Sequence, residues 1–496
     1  METENSCNSS NDEVDRISKL TETLIHHILS FIDFKYAIQT CVLSKRWRCI
    51  WTSLPALNFD SKLYFSGRTC DHKRVLDFVD NVLTLRDSRG SDIQKFHLVC
   101  GPFYSRADEF WTSRLHRWII HVVKANVEDI NVHYDSKAVF KVPDCVFMCK
   151  SLKSLNLDIS CRIILPNSLC LVRLKYLKLK DSSLNNEEQI QKLLSSCPVL
   201  EHLELSDVSS NGHINISISS LTLKHFGLHI KYNKLCHNKL RLSAPNLLSF
   251  ASSSLDFVLL DNVSSLLSAD TDVQVKPRNA DFPVAYTWQG LEFLEVLRNV
   301  KDLTISFLPV EAKLDVRRIP ELLQNQPFQF SNLLHFKLRK MSLSPHSMHA
   351  IASLLKIMPC IESFTLELPQ DRNINEYSDD DESDEGSDSD SDLEPELEPD
   401  NDVLTLSLEE SPSTYTLKRL KSVEISGLKG SDFELEFIGI LLKNAMLLER
   451  MVLHHCKPRS SRDKYFYKDN VKKFHQKVMR FPRVSFASKV AFYFFS

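Results

Sequence analysis

The sequence predicts an α/β solenoid, a curved parallel sheet with helices on its outer side, preceded by a small all-α module. Three features carry that expectation. A short pattern, apolar-x-x-apolar-x-apolar, recurs along most of the chain; amphipathic helical stretches separate its copies; and the first sixty residues replace it with apolar stripes at helical spacing.

The first element is the stretch LTETLIHHILSFI, in which Leu20, Leu24, Ile28 and Ile32 stand four apart with Ile25 and Leu29 beside them. That stripe is too broad for a helix that merely lies on a surface. In the second, VLSKRWRCIWTSLP, Leu43, Trp47, Ile50 and Trp51 follow helical spacing, Ser44 is placed to cap a helix, and Pro55 closes it. Aromatic and basic residues interleaved in this way also occur where proteins grip nucleic acid. Here the tryptophans share the apolar stripe and Lys45, Arg46 and Arg48 lie off it, so a packing face with a solvated basic flank is expected rather than a nucleic-acid site. About forty residues bury too little surface to stand alone. Either a partner polypeptide covers the remainder, or the segment caps the first repeat.

The repeats follow. Leu152-Leu155-Leu157, Leu174-Leu177-Leu179, Leu200-Leu203-Leu205 and Leu223-Phe226-Leu228 begin 22, 26 and 23 residues apart, which is leucine-rich-repeat spacing. Matching triplets start at Ile93, Val127, Val300, Leu333, Ile361, Leu420 and Leu448. The last two apolar positions of each unit alternate inward on a short strand, while the first anchors the approaching chain. Between strands come helices such as NEEQIQKLLSSCP, where Ile190, Leu193 and Leu194 share a face and Pro198 ends the run. Stacked neighbours bury what one unit cannot. Strand positions on the other face, such as Asn156, Lys178, Glu204 and Lys337, form a long concave surface, and each taken singly reads as a solvated strand position. The regularity fails between about Ser252 and Gly290.

From Glu376 to Asp400 the chain carries fourteen acids and no Lys or Arg, so the rest is net positive although the whole is −3. Such a block cannot repay the entropy of ordering and reads as a solvated, disordered insertion. A basic, aromatic run, Arg462 to Arg483, reads as a solvated helix near the end of the fold, the alternative being a site for nucleic acid or another acidic ligand.

Several chemistries are excluded. The thirteen cysteines lack framework spacing and Met1 to Asp15 is polar and acidic rather than a secretory signal, which places the chain in a reducing compartment, nucleus and/or cytoplasm. No apolar run approaches the roughly 18 residues of a membrane span. The ten glycines form no phosphate or dinucleotide loop, and no nucleophile elbow or zinc-peptidase helix is present. Cys145, Cys149 and Cys161, and His454-His455-Cys456, lack paired ligand spacing and read as packed side chains. Neither a catalytic residue, a metal nor a cofactor is expected.

The segment DRISKLTETLIHHILSFIDFKYAIQTCVLSKRWRCIWTSLPALNFD closely resembles the F-box of the plant F-box/leucine-rich-repeat proteins, whose pattern runs D-R-I-S-x-L-P, I-L-S-F and L-S-K-R-W-x-x-L-W. RWIIHVVKANVEDINV, SSCPVLEHLEL and APNLLSF resemble phrases of the same family. LKSVEISGLKGSDFELEFIGILLKNAMLLERMVL, with FPRVSFASKVAF, resembles its C-terminal FBD domain. The resemblance divides the chain into a disordered N-terminus (1–11), an F-box (12–60), a leucine-rich-repeat solenoid (61–375), an acidic disordered insertion (376–412) and an FBD-like terminal repeat or cap domain (413–496). It implies a substrate-recognition subunit of an SCF-type cullin-RING ubiquitin ligase: the F-box binds a Skp-type adaptor and, through it, cullin, and the repeats hold an unknown protein substrate. On the matching positions, Leu20, Leu24, Ile28, Leu29, Val42, Leu43 and Trp47 would make or directly support the adaptor contact. Thr21 stands where the family has Pro, and Thr orders a helix start less cheaply, which implies weaker adaptor binding. The other reading of the repeats is a binding scaffold or ligand sensor with no part in ubiquitination.

Overall fold

The computed structural model describes residues 20–61, 72–87, 92–100, 108–134, 139–180, 187–208, 215–230, 239–253, 257–273, 293–307, 320, 323, 328–369, 417–456, 464–485 and 489–494. The terminus 1–11, the acidic block 376–412 and, of the irregular stretch from about Ser252 to Gly290, residues 254–256 and 274–290 thus lie outside the described residues. The chain forms two compact units, one of residues 1–247 with 251–265, the other of 248–250 with 266–496.

The first unit begins with helices α1 (Glu22–Leu29) and α2 (Phe34–Gln39) and two 3₁₀ turns, Thr40–Val42 and Trp47–Ser53. Next come β1 (Ala56–Asp60), α3 (His72–Asp87), β2 (Lys95–Cys100), α4 (Asp108–Lys124), β3 (Asp129–Tyr134), β4 (Phe140–Lys141), α5 (Asp144–Phe147), β5 (Ser154–Asp158), β6 (Cys161–Arg162), β7 (Tyr176–Lys180), α6 (Glu187–Ser195), β8 (His202–Val208), β9 (Asn215–Ser219), β10 (His225–Ile230), β11 (Lys239–Ser243), β12 (Ser249–Ser253) and β13 (Phe257–Asp261). Strands β1, β2, β3, β5, β7, β8 and β10 pair in that order, every pair parallel.

The register turns the sequence pattern into two continuous buried rows. Leu57, Phe96, Ile130, Leu155, Leu177, Leu203 and Phe226 stand opposite one another on successive strands, as do Phe59, Leu98, Val132, Leu157, Leu179, Leu205 and Leu228. One repeat escapes the sequence reading: Leu54-Leu57-Phe59 obeys the same pattern and forms β1, although its first member also ends the helical module. Helices fill the outer layer early, Ile190 and Leu193 of α6 packing inward as expected while Leu194 is only half-buried. Later the expectation of helices fails. Strands β9, β11 and β13 pair parallel in a second small sheet, with Ile216, Leu240 and Val258 in one row and Ile218, Leu242 and Leu260 in the next. NISIS and KLRLS alternate with period two and FVLLD is a short apolar run, patterns that select a strand where the segment is too short for a helix.

The second unit contains β14 (Ser268–Val273), β15 (Asp302–Phe307), β16 (His335–Arg339), α7 (Pro345–Lys356), β17 (Ser363–Glu367), β18 (Ser422–Leu428), α8 (Asp432–Asn444), β19 (Arg450–His455), α9 (Lys464–Arg480) and β20 (Lys489–Phe494). Its seven strands pair in chain order, all parallel. Strands β18 to β20 therefore continue the ladder of the repeats before them. In β14 the inward positions are Ala269 and the buried Thr271, small or half-polar residues that hide the repeat from a search for leucines. Gly427 sits at the irregularity where β18 passes from Ser426 to Leu428. Its φ is +86°, and a Cβ there would lie 2.9 Å from the Leu368 carbonyl oxygen, so only glycine fits.

Candidate protein-binding face

Helix α1 starts at Thr21, whose hydroxyl accepts from the Leu24 amide at 3.4 Å. Thr21 thus caps the helix from the position where the resembling family has Pro. The helix then splits its apolar residues between two faces. Ile25 and Leu29, at 0% and 2% exposure, point into the module, while Leu24 and Ile28 remain exposed. The outward stripe continues through Phe31 (76% exposed) and Ile32. In α2, Phe34 and Ala37 are buried and Tyr36 is exposed; Val42 (83%) and Leu43 (62%) then lie open to solvent.

The segment after Leu43 differs from the expected α-helix. Residues Trp47–Ser53 form a 3₁₀ helix that starts only after a non-helical break at residues 43–46; Trp47, Ile50 and Trp51 are buried, and Leu43, on the far side of the break, is not part of their stripe. The Ser44 hydroxyl accepts from the Trp47 amide at 3.4 Å, which keeps Ser44 as the cap. Lys45, Arg46 and Arg48 are exposed, and Arg46 donates to the Leu20 carbonyl, tying the half-buried start of the module to its end. His26 Nε2 and Ser53 Oγ, 2.9 Å apart, make a second tie between α1 and the 3₁₀ helix.

The inner side of the module sits on the first repeat. Phe34 meets Trp51 and Phe59 edge-on, ring centroids 6.3 and 5.5 Å apart, and Phe59 in turn meets Phe96 at 6.0 Å. The guanidinium of Arg86, the last turn of α3, donates to the Leu54 carbonyl at 2.7 Å. Of the two alternatives left open by periodicity, the cap on the first repeat is seen: the module packs there with one face and leaves seven large apolar side chains, Leu24, Ile28, Phe31, Ile32, Tyr36, Val42 and Leu43, exposed.

Of the residues assigned to the adaptor contact from sequence, Leu24, Ile28, Val42 and Leu43 are exposed, Leu20 is half-buried, and Leu29 and Trp47 (5%) are buried supports that a partner cannot touch. Phe31, Ile32 and Tyr36 are exposed beside them without having been assigned from sequence. Ile32 and Tyr36 continue the four-residue spacing, while Phe31 stands one residue off it.

The solvent side of the sheet in the first unit is a carpet of mutually paired groups. Lys178 Nζ meets Glu204 Oε1 at 2.7 Å, and Tyr176 stacks on His202 with centroids 4.3 Å apart. His202 and Lys178 hold the Glu204 carboxyl down at about 2 against the opposing effect of burial. In the second unit Lys337 pairs with Glu367. Asn156 is half-buried on the same face as Lys178 and Glu204. Among the described residues, no three His, Cys, Asp or Glu side chains are grouped to hold a metal. Cys149 lies against the Val127 carbonyl and Cys161 against that of Lys180, while burial pushes the Cys145 thiol up. His455 is fully buried with Nε2 3.1 Å from His475 Nε2. No helix among the described residues is long and apolar enough to cross a membrane.

A helical module seated on parallel strand repeats defines a class of binding protein, and comparison with known sequences gives the family. The F-box domain family model matches residues 17–58, and that described as "FBD-associated F-box protein At5g56370, LRR repeats" matches residues 115–256. The F-box/LRR-repeat protein At4g14103 of Arabidopsis thaliana is 30% identical over 304 residues, covering 59% of this chain and 78% of the relative. An F-box/FBD/LRR-repeat protein of the same plant, At3g59240, is 27% identical over 462 residues, covering 89% and 84%. The FBD-associated F-box protein At4g10400 is 31% identical over 242 residues, covering 48% and 55%. The chain belongs to the F-box/leucine-rich-repeat family.

Proposed function

We propose that this protein is a non-catalytic substrate receptor of an SCF-type cullin-RING ubiquitin ligase, acting in the nucleus or cytoplasm. Its F-box binds a Skp-type adaptor, which connects it to cullin, and its repeats hold the protein to be ubiquitinated. One observation carries the reading: within the twenty residues from Leu24 to Leu43, seven large apolar side chains are exposed on a module whose own core is already filled by Ile25, Leu29, Phe34, Trp47, Ile50 and Trp51. Monomeric proteins seldom leave that much apolar surface together unless something covers it. Each such side chain gives about 1.5–3 kcal/mol on full burial, and several together exceed the cost of association.

The ubiquitin chemistry belongs to other subunits in this reading, so the receptor needs only two binding surfaces. Affinity-purified protein should carry a Skp-type adaptor and a cullin. Replacing Leu24 and Val42 together by Asp, both exposed, should remove the two partners without lowering the melting temperature. Equal recovery of adaptor with that variant would refute the assignment.

A further inference from the structure

A fully buried arginine lies outside the face just described. Arg86 is 2% exposed, and no carboxylate among the described residues pairs with it. It continues the inward stripe of α3, following Val75, Val79, Val82 and Leu83. Its guanidinium is instead enclosed by main-chain oxygen: Nη1 donates to Leu54 O at 2.7 Å and, more weakly, to Trp51 O at 3.5 Å, and Nη2 donates to Asp92 O at 3.3 Å. Nε has no partner among the described residues.

These three carbonyls belong to different parts of the first unit. Trp51 and Leu54 end the 3₁₀ helix of the F-box, and Asp92 precedes β2. The cation therefore sits where two helices finish, its own α3 and the 3₁₀ helix, and the negative ends of both favour it. A buried charge is a poor way to gain stability, because an apolar side chain of the same volume would pack there at no desolvation cost. What the charge supplies is direction: a planar fork with fixed donors accepts only one arrangement of the oxygens around it.

We propose that Arg86 is a positioning residue that locks the F-box onto the first two repeats, so that the adaptor face and the repeats of the first unit move as one body. The inference rests on the receptor reading for its purpose, since a ligase must hold its cargo at a fixed place relative to the adaptor. Its physical content, a joint packed by Phe34, Phe59 and Phe96 and fixed in direction by one guanidinium, is independent of that reading.

The test is a distance distribution in the full-length protein. Spin labels attached through a non-natural keto amino acid at Lys45 and Leu221, both exposed, avoid the native cysteines. Wild-type protein should give a single narrow distribution. Arg86→Met should at least double its width while adaptor affinity stays within threefold, because the F-box core itself is untouched. Arg86→Lys keeps a charge and a long stem without the fork, and should broaden it as well; it carries the test alone if the Met variant fails to fold. A width unchanged in Arg86→Lys, or in a folded Arg86→Met, overturns the proposal. Failure of the wild type to bind the adaptor would instead sink the receptor reading and leave the distances standing.

Discussion

At the residue level the F-box divides its apolar side chains by a single criterion, which side of α1 they occupy. Leu24 and Ile28 face out, Ile25 and Leu29 face in. The two groups should fail differently when altered. Trp47→Ala empties a core position and should cost the unit about 3–5 kcal/mol in urea unfolding, with loss of adaptor binding as a consequence of unfolding. Changes at exposed Val42 should leave the unfolding curve in place. Thr21→Ala removes the cap from α1 and should cost about 1 kcal/mol by the same measurement. The sequence showed which residues of the module were apolar, because four-residue spacing is visible without coordinates, and the family resemblance pointed to the ones proposed for the adaptor. It could not tell contact from support. A stripe that wraps most of a helix has no marked outer edge, and a helical wheel cannot see that the helical run breaks between Leu43 and Trp47, which is why the two were grouped.

Elements of the C-terminal region owe their shape to local polar devices. Glu434, buried in the first turn of α8, accepts from the amides of Lys429, Gly430 and Ser431 at 3.1, 2.6 and 2.9 Å, while Ser431 caps the helix through the Glu434 amide. Glu434→Ala leaves those amides unsatisfied and should cost about 1–3 kcal/mol in unfolding free energy. The S-x-x-E spacing of this box stands in the sequence from Ser431 to Glu434. The His455–His475 pair had no such signal, since its members lie on β19 and α9 and meet only through the fold. Burial against Phe474 and, after it, the neighbouring His475 imidazole hold His455 down at about 4. With the folded value below the unfolded one of about 6.5, the unfolded chain takes up protons first as pH falls. Stability of this region should therefore be full at pH 7 and decline from about pH 6.5 to 4. Unfolding midpoints measured across that range should show the decline in the wild type and a flatter one in His455→Gln.

For the whole molecule, the repeat pattern was legible wherever leucine, isoleucine, valine or phenylalanine filled the inward positions. It faded where Ala269 and Thr271 did the same work, because packing asks for volume and a sequence search asks for leucine. The first repeat was hidden for another reason: Leu54 belongs to two structures at once. That sharing has a practical consequence. Removing residues 1–54 would strip Phe34 from Phe59 and take two of the three carbonyls, those of Trp51 and Leu54, away from Arg86. The truncated protein should unfold with an added early transition or aggregate, so that a point variant such as Leu24→Asp with Val42→Asp is the better means of trapping a substrate.

The most direct measurement of the central claim is titration calorimetry of the full-length protein with a purified Skp-type adaptor. The account predicts one-to-one binding with a negative heat-capacity change, the mark of apolar burial, and at least a hundredfold loss of affinity when Leu24 and Val42 are both Asp. Absence of binding by the wild type, or binding that the double variant retains, would contradict it.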